Sequence, residues 1–301
     1  MNSILVIRPG ALGDTILSVP LLRTIQTTFS KARITFLGTG AYSEILPPGI
    51  HFARFDSSHW IWLFNEKIDR TTIPNLSHDL AYVILKHPHC VGEHLLQAGV
   101  RSVMLASSTP PVGVHLVAHL HQALGFPIPP REACLSHLSS SERQKILWVH
   151  PGSGGPRKCL PLELLLPIVE KVQKETGFRL CVSFGEDDAF LEKSPAWRHL
   201  VQLPGVEIMA KRSLSELSIA LRQAVLFVGN DSGIAHFAAG LGVRSAVFFI
   251  VTDPVSWAPW VPREQLRVFD LRNRNLGYVS PDEVIPDLLE LVGECGSRSG
   301  G

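Results

Sequence analysis

The chain has 301 residues, 45% hydrophobic and 18% charged, which describes a globular protein with enough apolar mass for two domains of ordinary size. A net charge of +1 without a long basic cluster argues against nucleic acid as a partner, because binding a phosphate backbone calls for a concentrated positive face. Five scattered cysteines (Cys90, Cys134, Cys159, Cys181, Cys295) with no C-x-x-C pair point to a reducing, cytoplasmic compartment, and no apolar run nears the roughly 20 residues that span a bilayer.

The opening MNSILVIRPG lacks the charged lead and long apolar centre of a secretion signal and reads as a first strand over residues 4–8. PGALGD then makes a turn with two glycines, and a helix is expected over 15–29, where Pro20 implies a kink or a late start. The glycines are three apart with no third, so this is not the G-x-G-x-x-G dinucleotide fingerprint. Asp14 has two readings. It can cap the helix, or it can serve as a general base at the carboxyl end of the first strand, where open α/β sheets place their ligands.

Further strands are expected over 33–38, 80–85 and 102–107, with helices over 58–70, 91–98 and 114–124 between them. Such alternation implies a mostly parallel sheet wrapped by helices. His87, His89, Cys90 and His94 look like metal ligands, but no matching ligand pair recurs elsewhere, so no metal site is expected. His115, His119 and His121 read as a solvated or packed helix face. Trp60, Trp62, Leu63 and Phe64, on a helix that also carries Glu66, Lys67 and Arg70, read as core; an edge that touches a lipid-linked acceptor at a membrane surface is the second reading.

The Pro- and Ser-rich stretch 126–141 is expected to be a linker. A fresh strand over 146–150 leads into PGSGGPRKCLP, where small residues at 152–155 let backbone amides approach an oxyanion and Lys158 adds a mobile positive charge. The strand expected over 179–185 ends in Glu186, Asp187 and Asp188, any of which could meet ribose hydroxyls or cap the next helix. After a strand over 206–210 and a helix over 214–224 comes FVGNDSGIAHFAAGLGV. Its strand over 225–229 is followed by Asp231, expected to cap a helix over 232–241. Ile234, Phe237, Ala238 and Leu241 form the apolar stripe of that helix, leaving Ser232, His236 and Gly240 opposite. Gly233 clears the first turn, where free N–H groups favour an anion; close helix–sheet packing explains the small residues equally well. A strand over 246–251, a loop over 252–260, a final helix over 281–294 and a disordered GSRSGG tail complete the chain. No Asp-x-Asp lies near the pocket, so a bound diphosphate is expected to be neutralised by Lys158 and helix amides in place of Mg²⁺, with no cofactor.

RPGALGDTILSVPLLRTI, HPGSGGPRKCLP, GNDSGIAHFAAGLG and TDPVSWAP, in that order, make the chain resemble glycosyltransferase family 9, the ADP-heptose:lipopolysaccharide heptosyltransferases. The resemblance implies an α/β protein of GT-B fold, two Rossmann-like domains with mostly parallel sheets facing an inter-domain cleft. Residues 1–140 would take the acceptor and 141–301 the nucleotide-sugar, with the final helix packing back on the first domain. By position, Asp14 matches the catalytic base, Lys158 the lysine on the donor phosphates, Asp231, Ser232, Gly233 and His236 the donor-binding turn, and Ser153 a phosphate-loop position. Glu186 and Asp188 are further donor-side candidates, and Gly13 and His87 acceptor-side ones. The family's K-x-W-P is here Lys158-Cys159-Leu160-Pro161, and the chain is short for the family. The implied reaction is inverting, metal-independent transfer of a heptose or related sugar from an ADP-sugar to a lipopolysaccharide-core-type glycan or glycolipid, with peripheral contact at the cytoplasmic face of the inner membrane. A GT-B sugar-nucleotide epimerase or hydrolase, and an inactive nucleotide-sugar-binding protein, stay open as alternatives. A dehydrogenase ranks last on its glycine spacing.

Overall fold

Short runs of branched apolar residues, too brief for helices, become central strands. In a computed structural model, which describes residues 1–65, 73–138, 142–274, 276 and 279–293, SILVI forms β1 (Ser3–Ile7), with Ile4, Leu5, Val6 and Ile7 all fully buried. A strand apolar on both faces needs cover on both faces, and only a parallel sheet between helices supplies it. The chain divides into two units, Met1–Pro130 and Arg131–Gly301. Glu66, Lys67, Arg70, Ser139–Ser141, Glu294, Cys295 and the tail from Gly296 lie outside the described residues.

The first unit runs β1, α1 (Leu12–Thr28), β2 (Arg33–Gly38), β3 (Ile50–Arg54), β4 (Leu80–Leu85), α2 (His89–Gln97), β5 (Val103–Ser107) and α3 (Leu116–Ala123). Its sheet is ordered β3-β2-β1-β4-β5 with every pair parallel. β3 was not expected: IHFAR sits on the sheet edge, half-exposed, and lacks the continuous apolar run of a central strand. Helix α1 starts at Leu12, three residues before the expected start, and continues through Pro20. Ala11 offers no capping side chain. Asp14, third in the helix, instead accepts the Ala11 N–H at 3.0 Å, so the start is fixed from inside the first turn.

Within the described residues the helix expected over 58–70 is a 3₁₀ turn, Ile61–Phe64. Trp60 and Leu63 are buried in the core and Phe64 meets Phe55 edge-on at 5.7 Å. His115 caps α3 through Nδ1, which accepts the Val117 N–H at 3.1 Å. His121 is fully buried between the Val117 carbonyl and the Thr24 hydroxyl.

The second unit runs β6 (Gln144–His150), α4 (Leu162–Thr176), β7 (Arg179–Phe184), α5 (Pro195–Leu200), β8 (Glu207–Ala210), α6 (Leu214–Leu221), β9 (Ala224–Asn230), α7 (Gly233–Gly240), β10 (Arg244–Phe249), α8 (Pro254–Trp257), β11 (Leu266–Asp270) and α9 (Pro281–Gly293). The sheet order is β11-β10-β9-β6-β7-β8, again all parallel. Counted within the unit this is 3-2-1-4-5-6, the doubly wound order of dinucleotide folds. α8 lies in what was expected to be a loop, started by Asp253, whose side chain accepts the Val255 N–H. β11, another mixed-polarity edge strand, was also unexpected. Helix α9 packs on α4 and on β9, β10 and β11, with Lys171 Nζ 2.6 Å from Asp282.

Candidate functional site

In each sheet the first and fourth strands of the unit are neighbours, β1 with β4 and β6 with β9. Chain connections leave in opposite directions there, opening a crevice at the carboxyl ends of the two strands. The loops that follow these four strands carry nearly all the expected site residues.

In the second unit, two loops converge. After β6 comes residues 151–161, and after β9 the Asp231–Ser232 turn into α7. Ser153 is buried and donates from Oγ to the Asp231 carbonyl at 2.7 Å. Lys158 Nζ donates to Asp231 Oδ2 at 3.4 Å, with the lysine side chain 42% exposed and the aspartate 8%. The ammonium thus reaches solvent from an anchor that does not. His236 Nε2 stands 3.8 Å from Asp231 Oδ1, and the Thr252 hydroxyl donates to Oδ2. Burial pushes the Asp231 carboxyl up, but His236, Thr252 and Lys158 outweigh it and hold the group below the usual carboxylate range. The cradle therefore keeps a buried anion that orients a cation at its mouth.

The N-cap of α7 is Ser232, not Asp231: its Oγ accepts the Ala235 N–H at 3.2 Å. Asp231 turns the other way, toward Lys158, Thr252 and His236. The side of α7 that carries His236 was expected to be open, yet His236 is only 4% exposed, and Leu135 covers Gly240 on that side, donating its N–H to the Gly240 carbonyl. The stretch expected to be a free linker thus packs on the helix. Among the described residues, His236 Nδ1 has no hydrogen-bond partner. Gly233, half-buried, opens the first turn.

The acidic residues after β7 separate. Glu186 and Asp187 are exposed, whereas Asp188 is buried and accepts the Ser153 N–H at 3.1 Å and the Gly185 N–H at 2.8 Å. Asp188 therefore latches the glycine loop and occupies the Ser153 amide that the sequence reading had offered to an oxyanion. The latch explains Gly152: a Cβ there would come within 1.9 Å of Asp188 Oδ1. His150 Nε2 lies 3.7 Å from Asp188; burial pushes this imidazole down, against the upward pull of the carboxylate.

In the first unit, Asp14 and Gly13 lie in the opening turn of α1 and His87 follows β4. Asp14 Oδ1 accepts from Arg8 Nη2 at 2.7 Å. Arg8 is 4% exposed; burial pushes its guanidinium down from its usual value while Asp14 opposes the change. His94 turns inward, with Nδ1 3.0 Å from the Leu63 carbonyl, while its Nε2 stays 3.5 Å from the Cys90 sulfur. Among the described residues no three His, Cys, Asp or Glu side chains converge as metal ligands, and no helix is long and apolar enough to cross a membrane.

The sequence model of glycosyltransferase family 9 (heptosyltransferase) matches residues 96–275, well over half of the chain. The chain belongs to glycosyltransferase family 9. Within family 9, lipopolysaccharide heptosyltransferase 3 of Escherichia coli is 30% identical over 120 residues, 36% of this chain and 34% of that protein, so the match spans about a third of the curated relative. Escherichia coli heptosyltransferase WaaC with ADP superposes with a TM-score of 0.71 at 13% identity, covering 96% of this chain and 99% of that one. Escherichia coli ADP-heptose lps heptosyltransferase II gives 0.70 at 19% identity, covering 99% and 100%. A family 9 glycosyltransferase from Veillonella parvula gives 0.72 at 16%, covering 97% of each chain. At these identities the likeness is one of fold, and that fold is GT-B.

Four residues of this family 9 site were not singled out from the sequence. Asn230, fully buried, donates from Nδ2 to the Pro151 carbonyl at 2.7 Å and accepts the Leu160 N–H at 2.8 Å, pinning both ends of the glycine loop. The others are Arg8, Thr252 and His150. Arg8 carried one signal, a charge closing an otherwise apolar strand. The partners of Thr252 and His150 are distant in sequence, and no local pattern marks them.

Proposed function

We propose that this protein transfers a heptose or related sugar, with inversion, from an ADP-sugar to a glycan or glycolipid acceptor of the lipopolysaccharide-core type. The observation that carries the reading is the Asp231 cradle, which holds the Lys158 ammonium at the solvent edge beside the start of α7. A departing diphosphate gains negative charge as the glycosidic bond breaks. Lys158 and the first-turn amides at Ser232–Gly233 meet that charge more strongly in the transition state than in the ground state, which is the condition for acceleration. Ser153 and Thr252 fix Asp231, and His236 acts through the same carboxylate. Glu186, exposed at the end of the second strand of its unit, is placed as an acidic residue that meets ribose hydroxyls is in dinucleotide folds. Asp188 shapes the loop. The ADP in one superposed structure and the ADP-heptose in the name of another support the choice of donor.

On the acceptor side, Asp14 removes the proton from an acceptor hydroxyl, which attacks the anomeric carbon from the face opposite the nucleotide while ADP leaves. Arg8 and the Ala11 amide hold one carboxylate oxygen each, so the base is presented in a single orientation. Gly13 and His87 border the acceptor. Charge neutralisation in this reading is by ammonium and amides, and the protein works at the cytoplasmic face of the inner membrane.

Thermal-shift measurements with ADP, UDP and GDP test the donor, since a ligand of the native state raises its melting temperature. ADP is expected to stabilise most; a larger shift with UDP or GDP rejects the adenine nucleotide. Asp14→Ala is expected to abolish transfer with ADP affinity retained, and Lys158→Ala to weaken ADP more than adenosine. Turnover of the nucleotide-sugar without acceptor would assign a different reaction.

A further inference from the structure

Apart from the sugar-transfer chemistry, helix α2 pairs a nucleophile with a base. Cys90 and His94 are four residues apart on it, so their side chains meet across one helical turn. His94 is 6% exposed, and its Nδ1 lies 3.0 Å from the Leu63 carbonyl. A carbonyl only accepts, so Nδ1 carries the ring proton and Nε2 is left with a lone pair. Among the described residues, the partner within reach of that lone pair is the Cys90 sulfur, 3.5 Å from Nε2 and 4.0 Å from Nδ1. Cys90 itself is exposed. The sulfur thus opens to solvent on one side and to a buried, oriented base on the other, which is the nucleophile, base and orienting group of an activated thiol. The other described cysteines contrast with it. Cys134, Cys159 and Cys181 are buried, and burial pushes the Cys159 and Cys181 thiols up to about 12.

We propose that Cys90 is a reversible modification site, which takes up one half of a small soluble disulfide with His94 as its base. The Cys90 thiol proton passes to His94 Nε2 as the sulfur attacks one sulfur of the incoming disulfide. A bond forms between Cys90 and that half, the original S–S bond breaks, and the other half leaves as a thiolate that takes the proton from His94. Cys90 is oxidised to a mixed disulfide and the leaving half is reduced to a thiol, so the disulfide is the oxidant and nothing else is consumed. A small thiol in excess reverses the exchange. A reducing compartment disfavours lasting structural disulfides and still admits transient ones of this kind. The exchange uses neither Asp14 nor the Asp231 cradle, and it stands independently of the sugar-transfer reading.

The test incubates the full chain carrying Cys295→Ser with oxidised glutathione, counts adducts by intact mass and places them by peptide mapping. A peptide of residues 86–97, which has the same thiol without the folded base, is the reference. Expected are one glutathionyl group per chain, on Cys90, its removal by dithiothreitol, and a rate about tenfold or more above that of the peptide. His94→Gln is expected to bring the rate to within about threefold of the peptide. Leu95→Ala empties a buried position of the same helix while keeping His94; it controls for loosening of α2 and is expected to stay fast. A parent rate within about threefold of the peptide overturns the proposal. So does an adduct on Cys134, Cys159 or Cys181 in place of Cys90, a His94→Gln variant as fast as the parent, or equal slowing in His94→Gln and Leu95→Ala. Should His94→Gln fail to fold, the comparison of parent with peptide decides.

Discussion

Replacing Asn230 by alanine isolates how the glycine loop is held. The native amide satisfies the Pro151 carbonyl and the Leu160 N–H, at 2.7 and 2.8 Å, and the side chain is wholly buried. Asn230→Ala strands both backbone groups away from water, at about 1–3 kcal/mol each, so the expected loss is on the order of 2–5 kcal/mol. For a unit of this size each kcal/mol moves the melting temperature by about 2–4 °C, which gives a fall of roughly 4–20 °C. The loop between the two anchors carries Ser153 and Lys158, so its loosening also removes the ammonium from its place beside Asp231. Calorimetry and titration with ADP measure the two effects on one sample. A melting temperature within about 2 °C of the parent, or full ADP affinity in a variant destabilised as expected, refutes the claim that this amide positions the phosphate side.

Gly152→Ala drives a methyl to within 1.9 Å of the Asp188 carboxylate, and the displaced latch is expected to cost about 1–3 kcal/mol, read as a lower urea midpoint. An unchanged midpoint would show that the loop shifts freely. Arg8→Met takes one of two partners from Asp14 and is expected to lower kcat about tenfold or more with ADP affinity unchanged, because small misplacement of a reacting group is costly. Equal loss of ADP binding would assign Arg8 to the fold alone. Burial pushes His121 and His150 down, so on acidification the unfolded chain takes up protons that the folded protein refuses. Their contribution to stability is complete above about pH 6.5 and is lost as pH falls through that value toward their lower folded pKa values. Urea midpoints measured from about pH 7.5 down to about pH 5 should therefore decline; a flat profile contradicts the assignment.

Central strands were readable because both faces are apolar, as in SILVI and LAYVIL. Edge strands β3 and β11 were not, since IHFAR and LRVFD mix polarity in a way that loops share. The glycines and the Asp-Ser turn marked the candidate site, but the roles within the turn were settled at a distance. Asp231 and Ser232 are both good caps, and only Lys158, Thr252 and His236 decide that the aspartate turns away from the helix. The same holds for α7. Its periodicity suggested one covered side, and Leu135, a hundred residues earlier, covers the other.

Leu160 stands where the resemblance to family 9 led us to expect a tryptophan. In this protein the amide of that residue does the work at the loop, reaching Asn230, while the side chain lies 1% exposed in the core of the second unit. Backbone and side chain at this position thus answer to different demands. Ring size at 160 becomes a matter of how the surrounding interior is filled, so a bulkier residue introduced together with a compensating truncation nearby should leave the Lys158–Asp231 contact untouched.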